Sequence, residues 1–189
     1  MIIKLLEEDQ DYYGDQLNGL FSYQTLKAAD DSLIAFFGKA SVKDKLVDYE
    51  DKLNNDSIFA QRMLHFILTI HGGGLREARL WQLLFIDICH RILVKCVPEH
   101  EVIREGDDIY LLQGKTRFKM SVSIATTSSN GKMLVHTGIN VSDEGAPVPT
   151  YSLGKLKILE HSFANIALQT FEKEYEDVQK TLYKVAGVA

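Results

Sequence analysis

Two carboxylates and a lysine, about a dozen residues apart, are the side chains of this sequence best suited to holding a small charged molecule. Arg104, Asp107 and Asp108 lie within five residues, just ahead of the apolar run Ile109-Tyr110-Leu111-Leu112. Lys119 opens the alternating Met120-Ser121-Val122-Ser123-Ile124, and Gln113-Gly114-Lys115 between the two runs reads as a hairpin turn. In an antiparallel pair that turn returns Lys119 to the Asp107–Tyr110 end, where a cation and carboxylates can meet one ligand. Lysine would hold a phosphate or carboxylate there, with an acidic residue serving Mg²⁺ or a ribose hydroxyl. The same spacing also suits a cross-strand salt bridge between Lys119 and an aspartate on a solvated face. A third run, Met133 to Val141, carries Gly138 and Asn140. Both are poor strand residues, and an interior glycine often marks close approach of a backbone or ligand.

Other chemistry-bearing residues are more scattered. His71-Gly72-Gly73-Gly74 leads into a helical pattern, so free N–H groups at a helix start could hold an anion near Arg76 and Arg79, or the glycines are simply a flexible turn. His65 and His71 are six apart, which on a strand puts them on one face. Asp48, Glu50 and Asp51 surround Tyr49 and form either a metal-binding acidic stretch or a solvated loop. Cys89 and Cys96, seven apart on one helical pattern, stand about 10 Å from each other, too far for a disulfide. No CxxC or HxxxH pair points to zinc. Walker, dinucleotide and nucleophile-elbow motifs are absent, and no Ser/His/Asp arrangement supports nucleophilic hydrolysis.

The elements that must position these residues follow from hydrophobic period. Met1–Leu6 reads as a strand, and Ser32–Phe37 as an apolar strand ending at Gly38. Met63–Ile70 is a buried strand stopped by the three glycines, whereas Gln16–Lys27 is ambiguous. Leu75–Val97 is a long helix ended by Pro98, with Leu80, Leu84, Ile88 and Ile92 on one apolar line and Trp81, Phe85, Cys89 and Cys96 on a second. A last helix spans His161 to Tyr183 on Phe163, Ala167, Phe171, Tyr175, Val178 and Leu182, after a loop with Pro147 and Pro149. One domain, 1–183, with a frayed tail, 184–189, fits 189 residues of which 46% are hydrophobic. The net charge of −5 gives no long-range attraction to nucleic acid, and no run of about 20 apolar residues crosses a membrane. A cytoplasmic location is the expectation.

Three segments, in order and spacing, resemble the biotin protein ligases. Those enzymes carry K-W-P-N-D-[IL]-Y, then K-L-A-G-I-L, then G-I-G-I-N-V. The corresponding pieces are Arg104-Glu105-Gly106-Asp107-Asp108-Ile109-Tyr110, Lys119–Ile124, and His136-Thr137-Gly138-Ile139-Asn140-Val141. Over its whole length the chain resembles an archaeal and bacterial family, the domain of unknown function numbered 366. The resemblance implies an α+β fold with a mixed, largely antiparallel sheet flanked by helices, as in biotin/lipoate ligases and class II aminoacyl-tRNA synthetases. It also implies Lys119 and Asp108 as catalytic residues, with Asp108 by the metal and Gly138 and Asn140 lining the pocket. The residues' own pattern adds Arg104, Asp107, His136 and Arg76 around the ligand, and Asp107 beside Asp108 toward Mg²⁺. ATP with Mg²⁺ would activate a small carboxylate as an acyl-adenylate. The alternative is a non-catalytic module of the same fold that binds a small anionic metabolite or serves as an assembly subunit; a homo-oligomer is compatible with either reading. Glu105-Gly106 replaces the ligases' Trp-Pro, and their G-R-G-R-x-G loop is absent.

Overall fold

The apolar run beginning at Met63 lies mid-sheet and is covered on both faces, which is why it does not alternate. In this computed structural model, which describes residues 1–54, 56–146 and 148–187, it belongs to β3 (Ile58–His71). The sheet has five strands in the order β1 (Ile2–Leu5), β2 (Ser32–Val42), β3, β8 (Lys132–Asn140) and β7 (Ser121–Thr127). Only β1 and β2 are parallel.

Leu64, Phe66, Leu68 and Ile70 of β3 face two helices, α3 (Leu75–Cys96) and α4 (Glu160–Lys184). Phe66, Phe85 and Phe171 meet edge to face, with ring centres 4.8 and 5.4 Å apart. Each such buried ring contributes roughly 1.5–3 kcal/mol through area removed from water. Ile67, on the other face, packs with Ile34 and Phe36 under Tyr12 and Phe21, the latter opening a short helix α1 (Phe21–Leu26). Beyond them a second short helix, α2 (Tyr49–Asn54), leads into β3. Among the described residues no helix is long and apolar enough to cross a membrane.

A three-stranded sheet, β4 (Glu101–Glu105), β5 (Asp108–Gln113) and β6 (Thr116–Lys119), lies beside the larger one. The β5–β6 hairpin turns at Gly114, which has a φ of +62° that favours glycine, and pairs Tyr110 with Lys119. Lys119 therefore closes β6 instead of opening the next strand. Met120 alone carries the chain across to β7.

Three further differences from the sequence reading have plain causes. β2 does not stop at Gly38; the pairing shifts register there and continues to Val42. The segment after β1 runs along β2 at that point, so that Gln10 N–H donates to Phe37 O and Tyr12 N–H to Lys39 O. On α3 the buried stripe is Ala78, Gln82, Phe85, Cys89 and Ile92, while Leu80 is 61% exposed and Cys96 is also exposed. The stripe is rotated because β4 and β5 of the small sheet pack on the helix as well as β7 and β8 of the large one. Val178 and Leu182 of α4 are exposed because the helix outruns the sheet after Tyr175. Pro147 and the last two residues of the expected tail lie outside the described residues.

Candidate functional site

Where the two sheets meet, on the face away from α3 and α4, a cavity of about 690 Å³ opens. That size accommodates a small metabolite or cofactor. Its floor is the second face of β8 and β7, and its walls are the β5–β6 hairpin on one side and residues 45–51 and 56–59 on the other.

Lys119 stands on the hairpin wall with its backbone held at both ends. Its N–H donates to Pro149 O (2.9 Å), and its carbonyl accepts from Tyr151 N–H (3.0 Å) and from Asn140 Nδ2 (3.1 Å). Its Nζ lies 2.9 Å from Asp108 Oδ2, and Tyr110 O–H donates to that same oxygen at 3.1 Å. The other Asp108 oxygen has no partner among the described residues. Both side chains are partly exposed, at 31% and 26%, so the pair sits at the cavity's surface and not in the core. An ammonium with a fixed backbone and two donor positions to spare can accept a second carboxylate.

Asp107 has a different role. Arg79 grips it through both nitrogens, at 2.7 and 3.1 Å, and Gln82 Nε2 donates to it (2.9 Å) and to Ser123 Oγ (3.0 Å). Gln82 is fully buried, a polar residue in the middle of the α3 stripe whose function is to fasten Asp107 to edge strand β7. Burial alone would raise the Asp107 carboxyl, but the Arg79 guanidinium, the Asp107 backbone N–H and Gln82 together outweigh it and hold the group below its usual range. The linkage has a definite sign: the contribution is present above about pH 4, the unfolded value, and is lost as pH falls through the lower folded value. Arg79→Met should therefore lower the urea midpoint at pH 7, and the gap from wild type should narrow at pH 3.

The residues proposed for Mg²⁺ fit it poorly. Both Asp107 oxygens are occupied by Arg79 and Gln82, and Asp108 offers a single free oxygen. Among the described residues no three His, Cys, Asp or Glu side chains converge as a metal site. A triphosphate fits poorly too, since six carboxylates and only two lysines line the cavity. Like charge this dense repels a polyanion.

On the floor, His136 Nε2 faces His65 Nδ1 at 3.1 Å, and Tyr12 stacks on His136 with ring centres 3.9 Å apart. Both imidazoles are fully buried. Burial brings His65 down to about 3 and His136 well below its usual value, so the floor stays uncharged. Gly138, between His136 and Asn140 along β8, does not itself line the cavity; it leaves room for Met63, since a Cβ there would lie 2.2 Å from Met63 Sδ.

Not every residue singled out from the sequence comes to this place. Arg104 lies against α3, donating to Leu83 O (2.9 Å), and Arg76 is exposed on the first turn of α3; neither lines the cavity. The glycine turn is no anion cradle here, because Glu77 Oε2 already accepts from Gly74 N–H at 3.0 Å. His71 sits at the exposed end of β3 with Asp31 (2.9 Å), and the partner of His65 is His136. The acidic stretch Asp48, Glu50 and Asp51 does line the cavity, opposite the lysine. Tyr12 and Gln82 carry no expectation from the sequence, and Arg79, expected near an anion at the helix start, grips Asp107 instead. A polar residue at the buried spacing of α3 was the one available sign of Gln82.

Residues 1–186 match the family described as Domain of unknown function (DUF366). The chain belongs to this family. A protein of unknown function from Pyrococcus horikoshi has the same fold at a TM-score of 0.88 and 32% identity, over 100% of both chains. An uncharacterized protein of Methanocaldococcus jannaschii is 25% identical over 97% of this chain and 84% of its own length. Fold likeness extends to biotin and lipoate protein ligases. The Aquifex aeolicus biotin protein ligase, solved with biotin and ATP, superposes at a TM-score of 0.56 with 13% identity, over 94% of this chain and 72% of the ligase. The family thus has a biotin/lipoate ligase-like α+β fold.

Proposed function

We propose that the protein binds a small carboxylate-bearing metabolite in this cavity, with Lys119 holding the carboxylate. The carrying observation is the Lys119 ammonium, borne on a backbone held by Pro149, Tyr151 and Asn140 and presented at the rim of the cavity. The neutral floor of His136, Tyr12 and Met63 would cover an apolar or planar part of the ligand, because uncharged aromatic surface adds contact without electrostatic selection. The ligase neighbour was solved with a carboxylate, biotin, which supports the same ligand class here.

Titration calorimetry and thermal shift with a panel of small carboxylates, each with and without ATP and Mg²⁺, test this reading. A saturable heat with one carboxylate in the absence of nucleotide is the expected result. If no carboxylate raises the melting temperature, the reading fails. Carboxylate-dependent exchange of pyrophosphate into ATP would instead make the protein an activating enzyme, the role its ligase-like fold supports and its acidic lining opposes.

A further inference from the structure

The charges around the cavity do not balance. Asp107 is neutralised by Arg79, Asp108 by Lys119, and Lys45 is turned to Asp15 at 3.3 Å. Asp48, Glu50, Asp51 and Asp56 remain, all on the wall facing the hairpin, and none has an ion-pair partner among the described residues. One Asp48 oxygen accepts from the N–H groups of Glu50 and Asp51, which orients α2 but removes no charge. Burial pushes the Asp51 carboxyl up, and so do Asp48 and Asp56, while Lys119 acts on it in the opposite direction. The lysine and the acidic wall therefore feel each other across one cavity.

Carboxylates crowded along a cavity wall are relieved by a cation. They do not converge as metal ligands. An organic ammonium, which offers three N–H donors to separate carboxylates and needs no converging cage, suits them better than a bare ion.

We propose that the ligand of this cavity is an amino-carboxylate, its carboxylate on Lys119 and its protonated amine against the wall formed by Asp48, Asp51 and Asp56. This rests on the carboxylate reading above and adds the second pole. It also distinguishes the ligand from biotin, whose ring end is uncharged.

The test pairs acids that differ only by a terminal amine: 4-aminobutyrate, 6-aminohexanoate and 8-aminooctanoate against butyrate, hexanoate and octanoate. Each is titrated calorimetrically into the full chain and into Asp51→Asn, with circular dichroism confirming that the variant is folded. At least one aminated acid should bind tenfold or more tighter than its plain counterpart, and Asp51→Asn should reduce that ratio below about threefold. Plain acids that bind through Lys119 as tightly as the aminated ones overturn this inference and leave the carboxylate reading standing. A preference unchanged in Asp51→Asn overturns it as well. If neither series binds, both readings fall.

Discussion

Lys119→Ala should weaken binding of the cavity's carboxylate ligand by about 10- to 100-fold while leaving the fold almost untouched. A hydrogen bond to a charged group contributes about 1.5–3 kcal/mol, and each 1.4 kcal/mol is tenfold in affinity. The ion pair with Asp108, by contrast, is partly exposed at both ends and contributes no more than about 1 kcal/mol to stability. Calorimetry and a melting curve on the same variant separate the two. A small drop in melting temperature with unchanged affinity would reduce Lys119 and Asp108 to a cross-strand salt bridge. Two companion variants sharpen the outcome. Lys119→Arg keeps the charge but replaces a compact ammonium by a planar fork, and should recover only part of the affinity. Asp108→Asn frees the ammonium of its resident carboxylate and should leave binding unchanged or tighter.

Gly38→Ala is expected to have the largest effect on stability. A Cβ at this position would lie 2.0 Å from Gln10 O and 2.5 Å from Gln10 C, and these are backbone atoms that no rotamer can move. The segment at Gln10–Tyr12 would have to lift off β2. That breaks the bonds from Gln10 N–H to Phe37 O and from Tyr12 N–H to Lys39 O, and the one from Ser41 N–H to Tyr12 O. Overpacking of this kind costs about 3 kcal/mol. For a chain of this size that lowers the melting temperature by roughly 6–12 °C. Because Tyr12 roofs His136, ligand affinity should fall with it. Gly106→Asn is the control: nothing lies within 4 Å of its missing Cβ, and asparagine tolerates its φ of +59°. A loss at Gly38 no larger than that at Gly106 would contradict the close passage of the N-terminal segment.

How far the sequence could be read depended on how local each cause was. The hairpin register that sets Lys119 beside Asp108 was legible, because one turn at Gly114 and a period of two determine it. The helix α3 was legible as an element, since its wide apolar surface repeats at helical spacing. Its orientation was not: Leu80 and Gln82 are exchanged between surface and core by how both sheets pack on the helix, which no local pattern records. His65 was grouped with His71 because strand parity is local, whereas its partner His136 is 71 residues away. Tyr12 carries no motif at all. Its place above His136 follows from a segment passing beside Gly38, and a glycine read as a strand end was in fact a crossing point.

The facing nitrogens of His65 and His136 carry one more consequence. Two uncharged imidazoles meeting nitrogen to nitrogen at 3.1 Å share a single hydrogen, so their tautomers are tied. If His65 carries its hydrogen on Nδ1, His136 must be bare on Nε2 and protonated on Nδ1; if His136 carries it on Nε2, His65 must be protonated on Nε2 instead. A molecule that hydrogen-bonds to His136 from the cavity selects one of these two arrangements, and the choice passes to a ring with no contact to solvent. Nitrogen chemical shifts of His65 would then report occupancy from inside the core.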